Sequence, residues 1–213
     1  MHSLLRLAFF TLLARPLVLI GLGMNVRHRE RLPAAGPAIL VANHNSHLDT
    51  IALMTLFPLR LLPRLRPVAA ADYFLRNRLV AWFSRRIIGI IPIDRSVRRG
   101  GESPLAGVGA ALSGGDIIIL FPEGTRGEPE RLSAFKSGVA HIARDHPEAA
   151  VVPVFLHGLG KALPKGEALL VPFFCDVLVG PPVLWSGDRA AFLQSLEKAM
   201  AALAAEGSFP AWE

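Results

Sequence analysis

A histidine and an aspartate five positions apart, His44 and Asp49, are the residues of this chain with the clearest chemical potential. The apolar run 38–42 predicts a buried strand before them, and 50–57 predicts a helix after them. On one continuous helix, side chains five positions apart would point about 140° apart, whereas across a strand–loop–helix corner they can meet. A histidine held by a carboxylate can act as a general base near neutral pH, because the carboxylate fixes its tautomer and stabilises the imidazolium.

The same segment also fits two other interpretations. Ser46 and Asp49 have the spacing of a capping box, and an aspartate favours a helix N-terminus on dipole grounds alone. His44, His47 and Asp49 can also be considered as metal ligands, but no further ligand cluster accompanies them, so no metal site is predicted.

A second group of polar residues follows the apolar run 116–121, which predicts a buried strand ended by Pro122. In open α/β sheets, functional groups gather at the carboxyl ends of the strands. An arginine there can hold a phosphate through two parallel hydrogen bonds, and a glutamate can orient the arginine or accept from a substrate hydroxyl. A tight turn with a surface Glu–Arg pair is the alternative. The residues concerned are Glu123, Gly124, Thr125 and Arg126.

Two further strand ends carry polar residues. The apolar run 89–93 ends on Asp94 and Arg95, and the run 150–156 is followed by the loop 157–166 with two lysines and three glycines. This loop can contact a phosphate, close over a site, or simply connect two elements. Pro153 lies inside the second run, and because proline withholds a ladder donor, an edge strand or a bulge is expected there.

Composition points to lipid contact and to anionic partners. Hydrophobic residues make up 52% of the 213 residues, and the formal net charge is +6; mean hydropathy is +0.41 and the pI about 10.4. Such a balance suits anionic membranes, phosphate-bearing substrates or an acidic protein. No nucleic-acid-binding signature accompanies the charge, so no nucleic-acid partner is predicted. The single cysteine, Cys175, excludes an intrachain disulfide and is compatible with a reducing compartment.

Residues 1–24 form an apolar stretch interrupted by Arg6, Arg15 and Pro16. We expect a kinked or paired helix lying in one leaflet, with the arginines at headgroup level; a helix packed on the domain is the alternative. The stretch 60–99 has ten arginines and two acidic residues. Apolar and aromatic residues between the arginines favour a membrane-facing or phosphate-facing surface over a nucleic-acid groove, and a solvated basic face is the alternative.

Predicted strands alternate with predicted helices, and several strands are apolar on both faces. This pattern predicts an α/β fold: a single domain, 25–213, with a mostly parallel mixed sheet flanked by helices, preceded by the membrane-associating helical segment 1–24. One long helix, 73–87, is expected with Asp72 as its cap. Motifs for a serine nucleophile, a phosphate loop and a dinucleotide turn are absent.

Four segments in this order resemble the glycerolipid acyltransferases, the lysophosphatidic acid acyltransferase family with its HX4D motif, over roughly residues 25–185. They are Asn-His-x4-Asp at 43–49, Gly-x-x-x-Ile-Asp-Arg at 89–95, Phe-Pro-Glu-Gly-Thr-Arg at 121–126 and Val-Pro-Val at 152–154. Pro92 stands where many members carry an aromatic residue. The resemblance implies that His44 is the catalytic base and Asp49 its partner. It also implies that Arg95, Glu123, Gly124, Thr125 and Arg126 bind the acceptor phosphate.

By this resemblance the protein is an acyltransferase of phospholipid biosynthesis that needs no cofactor or metal. Its partners would be membrane lipids, a lysophospholipid acceptor, and acyl-CoA or acyl carrier protein as donor. It would be monotopic or peripheral on the cytoplasmic face of the cell membrane. Two alternatives remain: an acyltransferase for another acceptor, such as an aminolipid, a glycolipid or a different lysophospholipid, or a non-catalytic lipid-binding module.

Overall fold

A mixed, mostly parallel seven-stranded sheet forms the centre of the protein. The computed structural model describes residues 2–74, 77–94, 103–124, 133–162 and 173–209. Within these ranges the strand order is β1-β7-β6-β2-β5-β3-β4, and every pair is parallel except β6 with β7. The strands are β1 Asn25–Arg27, β2 Ala38–Ala42, β3 Leu65–Ala70, β4 Ile91–Ile93, β5 Ile117–Leu120, β6 Ala150–His157 and β7 Asp176–Val179. The predicted α/β fold is confirmed.

Helices cover both faces of the sheet. The N-terminal helix and α2 pack on one face, and α5, α6 and α8 pack on the other. The α-helices are α1 His2–Phe9, α2 Leu48–Thr55, α3 Ala71–Phe74, α4 Arg78–Phe83, α5 Ala106–Ser113, α6 Gly138–Asp145, α7 Leu159–Ala162 and α8 Arg189–Gly207. Short 3₁₀ turns occupy Arg29–Arg31 and Leu59–Arg64.

Strand β2 is buried along its whole length and lies between β5 and β6. Its side chains alternate between the two cores: Leu40 packs with the N-terminal helix and α2, whereas Ile39 and Val41 pack with α5, α6 and α8. Because both neighbouring pairs are parallel, the carboxyl ends of β2, β5 and β6 meet at one edge. We call it the catalytic edge, after the role that the sequence resemblance implies for the segments that begin there at Asn43 and Phe121.

The N-terminal segment is helical from His2 to Gly21, with π-helical stretches at Phe10–Ala14 and Pro16–Gly21. A stripe at four-residue spacing is fully buried in the core and contains Phe10, Ala14, Val18 and Leu22. The opposite side is apolar and exposed, and Ser3–Gly21 is long and apolar enough to cross a membrane by length and composition. The helix therefore belongs to the hydrophobic core on one side only.

The two arginines of this helix bind backbone carbonyls of the domain, a role that the sequence did not predict. Arg6 donates to the carbonyls of Leu65 (3.1 Å) and Ile88 (3.0 Å), and Arg15 donates to the carbonyl of Phe57. Each guanidinium thus satisfies backbone acceptors at the ends of neighbouring elements, which stabilises the docked helix.

Two expectations need correction. The predicted helix 73–87 is interrupted at the extended Asn77, which separates α3 from α4, but it ends as predicted because α4 continues as a π-helix over Ser84–Ile88. Asp72 lies inside α3, while the Asn77 side chain caps α4 by accepting from the Leu79 N–H at 2.8 Å. Pro153 lies in the interior strand β6, not at an edge. The regular ladder with β7 covers Val154 to His157, and beyond it the Gly180 N–H binds the Pro153 carbonyl at 2.8 Å and Val183 bridges Val151. Two residues of β6 there face three of the other segment, so the pairing at Pro153 has the irregularity of a bulge, the other expectation.

Candidate active site

His44 and Asp49 meet at the corner between β2 and α2, as their spacing predicts. The Nδ1 atom of His44 lies 2.9 Å from Oδ2 of Asp49. The imidazole is partly exposed and the carboxylate is fully buried. Because a carboxylate oxygen accepts, the tautomer assigned from this contact carries its proton on Nδ1. The lone pair of Nε2 then remains for a substrate proton, as general-base chemistry requires.

A single oxygen of Asp49 organises the whole corner. Besides the His44 ring, Oδ2 accepts the backbone N–H groups of Asn45 (2.6 Å) and Ser46 (2.8 Å). The second contact is the carboxylate half of a capping box, so the capping and the catalytic interpretations describe the same side chain. Burial raises the pKa of the Asp49 carboxyl, and the hydrogen bonds from His44, Ser46 and Asn45 oppose this rise.

Three backbone N–H groups at the corner between β2 and α2 already have partners within the corner. Those of Asn45 and Ser46 bind Asp49, and that of Leu48 binds the Ser46 hydroxyl at 3.3 Å.

The segment after β5 supports the histidine from the other side. The Phe121 ring stacks on the His44 ring with centroids 4.1 Å apart and planes inclined by 20°. The His44 backbone N–H donates to Oε1 of Glu123 at 3.3 Å. Glu123 is buried, and this burial raises the pKa of its carboxyl from 4.5 to about 7. The structure therefore places the residues of both sequence motifs in direct contact.

Two asparagines, which sequence reasoning did not single out, fasten this corner to β6. The Asn43 amide donates to the Leu156 carbonyl (2.8 Å) and accepts from the Leu156 N–H (2.7 Å). The Asn45 amide donates to the same carbonyl at 3.1 Å. All of these contacts are buried. Asparagines flanking a histidine directly after a buried strand are the sequence signal that could have indicated this role.

Gly124 allows a lysine to lie across the turn. Its φ of +75° belongs to the left-handed region, and a Cβ atom there would lie 2.6 Å from Nζ of Lys136. The Lys136 N–H binds the Pro122 carbonyl (2.9 Å), and the Gly124 N–H binds the Phe121 carbonyl (3.1 Å). Lys136 is thus a cation at the catalytic edge that sequence reasoning missed.

Near the same corner, the polar side chains of His47 and Tyr73 contact each other. The Tyr73 hydroxyl lies 3.0 Å from Nε2 of His47, and the two rings stack with centroids 5.6 Å apart. Within the described ranges no group of three or more His, Cys, Asp or Glu side chains could hold a metal ion. The suggested use of His47 as a metal ligand therefore finds no support there.

Three predicted phosphate contacts, Arg95, Thr125 and Arg126, lie outside the described residues, as does the part of the loop 157–166 beyond Ala162. The described part of that loop begins at His157, whose ring is buried and stacks on Phe209 with centroids 3.8 Å apart. Helix α7 follows directly.

Comparison with known proteins identifies the class of protein that has this fold and this His–Asp pair. The chain matches the Acyltransferase family over residues 23–157 and belongs to that family. It is 30% identical over 162 residues to the chloroplastic 1-acyl-sn-glycerol-3-phosphate acyltransferase LPAT1 of Arabidopsis thaliana, covering 75% of this chain and 43% of that protein. It is 29% identical to the human 1-acyl-sn-glycerol-3-phosphate acyltransferase alpha, covering 79% and 58%. The chain thus spans about half the length of these curated relatives.

The fold also matches a solved structure. The crystal structure of the 1-acyl-sn-glycerophosphate acyltransferase PlsC from Thermotoga maritima superposes with a TM-score of 0.72 at 23% identity. The match covers 89% of this chain and 74% of that protein. This likeness establishes the architecture.

Proposed function

We propose that this protein transfers an acyl chain from acyl-CoA or acyl carrier protein to a hydroxyl of lysophosphatidic acid. The observation that carries the proposal is the His44–Asp49 hydrogen bond at the catalytic edge of a chain that belongs to the acyltransferase family. The relatives named above are 1-acyl-sn-glycerol-3-phosphate acyltransferases, which supports this acceptor. The product would be a diacylated phosphate ester, a precursor of membrane phospholipids.

The proposed reaction is a direct transfer. Asp49 holds the His44 ring with Nε2 towards the acceptor, and Nε2 takes the proton of the acceptor hydroxyl as its oxygen attacks the thioester carbonyl. When the tetrahedral intermediate collapses, the C–S bond breaks and the imidazolium returns the proton to the departing thiolate. Asp49 stabilises the positive charge that His44 carries between these two steps. The reaction needs no metal or organic cofactor.

No covalent acyl-enzyme takes part in this scheme. Cys175 is buried at the start of β7, and its thiol contacts the Phe173 carbonyl at 3.2 Å. We therefore expect sequential kinetics. A stoichiometric acyl adduct after incubation with donor alone would contradict direct attack.

The acceptor phosphate is assigned to the residues that follow β5 and β4, Glu123, Gly124, Thr125, Arg126 and Arg95. An arginine fork can give a phosphate two parallel charge-assisted bonds, which lysine cannot reproduce. Arg126→Lys should lower kcat/KM for lysophosphatidic acid at least roughly tenfold, with KM for the thioester little changed. Equal losses with a phosphorylated and an uncharged acceptor would remove Arg126 as the phosphate contact.

Residues 1–24 are proposed to hold the protein on the membrane through the exposed side of the N-terminal helix. Its buried stripe packs on the domain, so the helix is suited to lie in one leaflet with its outer side chains among the acyl chains. We assign the protein to the cytoplasmic face as a monotopic or peripheral protein, because its thioester donors are water-soluble and its free cysteine suits a reducing compartment.

The decisive experiment measures release of free thiol from an acyl thioester by the purified protein in detergent with a panel of acceptors. Lysophosphatidic acid should be preferred over uncharged, aminolipid and glycolipid acceptors, and His44→Ala should abolish the release. Transfer to another acceptor would redefine the substrate. A folded wild-type protein that releases no thiol with any acceptor would instead indicate a non-catalytic lipid-binding role.

A further inference from the structure

The outer surface of α4 carries apolar and basic side chains together. Leu79 is 78% exposed and Trp82 is 44% exposed, although both are large and apolar. Arg78, Arg85 and Arg86 are exposed on the same helix and its π-helical continuation to Ile88. Positions four and seven apart share a helix face, so Arg78, Trp82 and Arg85 form one stripe. We call these five exposed side chains the α4 face.

The N-terminal helix lies beside this element and runs in the opposite direction. Arg6 contacts the Ile88 carbonyl at 3.0 Å, and the Phe9 ring meets the Phe83 ring edge-on with centroids 5.2 Å apart. A later residue of the N-terminal helix thus contacts an earlier residue of the other helix, so the two helices are antiparallel. The exposed side of the N-terminal helix, where Leu12 is 76% exposed, is therefore a neighbour of the α4 face.

This combined surface borders the catalytic edge. Helix α4 follows the carboxyl end of β3, so its first turn lies near that edge. Tyr73, in the short helix between β3 and α4, binds His47, which is three residues from His44. A lipid bilayer contacting both helices would thus lie next to the histidine.

We infer that the α4 face is a second membrane contact that selects anionic phospholipids, with Leu79 and Trp82 at the interface and the three arginines at the phosphates. The inference rests on the proposed function in one respect: it takes the acceptor to be a membrane lipid. Charge complementarity favours an anionic bilayer, and a tryptophan beside arginines suits the interfacial region. A second copy of the chain would bring the same positive charge against these arginines, which disfavours self-association as the occupant.

Trp82 itself supplies the probe. The chain has three tryptophans, so Trp185→Phe with Trp212→Phe leaves only Trp82. Vesicles containing phosphatidylglycerol should shift its emission to shorter wavelength, and vesicles of phosphatidylcholine alone should do so far less. Raising the salt concentration should weaken the response, because exposed charges are screened. An emission spectrum unchanged by both vesicles, or equally changed by both, would overturn the inference.

Two charge-matched triple variants test the arginines. Arg78→Gln with Arg85→Gln and Arg86→Gln should weaken binding to phosphatidylglycerol vesicles about a hundredfold, since each basic residue contributes about fivefold near such a surface. Arg144→Gln with Arg189→Gln and Lys198→Gln removes the same net charge from α6 and α8 and should weaken binding less than about threefold. Equal losses of vesicle binding in the two variants would show that only the net charge matters and would contradict a specific membrane contact at the α4 face.

Two further measurements separate the possible failures. Thiol release in detergent micelles should be the same for the α4 variant and the wild type. A wild-type protein that is inactive on every acceptor would contradict the proposed function, but it would not affect the result of the vesicle experiment. A Trp82 shift that grows with protein concentration in the absence of vesicles would identify the α4 face as a self-association surface and overturn the inference.

Discussion

The backbone N–H of His44 donates to the side chain of Glu123 across 3.3 Å, so a buried carboxyl group lies directly against the segment that carries this histidine. Residues 79 positions apart, at the ends of the adjacent strands β2 and β5, are joined by this contact. A change in the protonation of Glu123 therefore acts at the position of His44.

Glu123 should make stability depend on pH between about 4.5 and 7. Burial raises the folded-state pKa to about 7 from 4.5, so the folded state binds the proton more tightly than the unfolded state. The stabilisation is complete below pH 4.5 and is lost as pH rises through about 7, for a total of about 3 kcal/mol. Urea unfolding at pH 5 and pH 8 should show a clearly larger loss in the wild type than in Glu123→Gln, which keeps the contribution of the buried Asp49 carboxyl. The exposed Glu30→Gln serves as control and should retain the wild-type pH dependence.

His44→Ala should lower turnover by about 10²–10⁴-fold, the usual contribution of a general base, without unfolding the protein. Asp49→Asn should also be severely impaired, because an amide cannot stabilise the imidazolium and can present a donor to Nδ1. Steady-state kinetics with circular dichroism as the folding check provide the measurement. Near-normal turnover of a folded His44→Ala protein would refute the mechanism.

Asn43→Ala should destabilise the protein, although the proposed mechanism gives Asn43 no chemical step. The substitution removes the acceptor of the buried Leu156 N–H, and an unsatisfied buried donor costs about 1–3 kcal/mol. Asn25→Ala removes an exposed hydrogen bond to Asp176 and should change stability by less than about 0.5 kcal/mol. Denaturant unfolding of both variants tests the contrast, and a similar small change in each would rule out the Asn43 clamp as an important contact.

Gly124→Ala and Gly115→Ala form another matched pair. Both glycines have positive φ, +75° and +78°, so each alanine should cost about 1 kcal/mol in backbone strain. The new methyl group at position 115 meets nothing within 4 Å, whereas at position 124 it displaces the Lys136 ammonium. We expect similar losses of stability but a fall in kcat/KM, about tenfold, only for Gly124→Ala. Equal activity of the two variants would show that the position of Lys136 has no influence on the reaction.

The two sides of the N-terminal helix should respond differently to substitution. Phe10→Ala removes a fully buried ring and should cost about 3–5 kcal/mol of stability. Leu12→Ala should change stability by less than about 0.5 kcal/mol but weaken vesicle binding about tenfold. Thermal unfolding and vesicle sedimentation distinguish the two effects. A large stability loss in Leu12→Ala would place that side chain in the core.

Sequence patterns predicted the structural features that depend on residues close together in the chain. The strand–loop–helix corner brought His44 to Asp49 as expected, because apolar runs on both sides defined the two elements. The role of Asn43 was missed because its partner, Leu156, is 113 residues away. The carbonyl partners of the arginines in the N-terminal helix were not predicted, because a mixture of apolar residues and arginine suits a membrane interface and a core helix equally. Only the tertiary fold supplies the carbonyls of Leu65 and Ile88 to Arg6.

The contact between Arg6 and the Ile88 carbonyl joins two residues that are synthesised at different times during translation. The ribosome makes residue 6 long before residue 88, 82 positions later, so the N-terminal helix emerges before its docking surface exists. In that interval both its future core stripe and its exposed side are open to lipid. With the membrane role proposed above for this helix, capture of the nascent chain at the bilayer can precede folding of the residues that complete its docking surface.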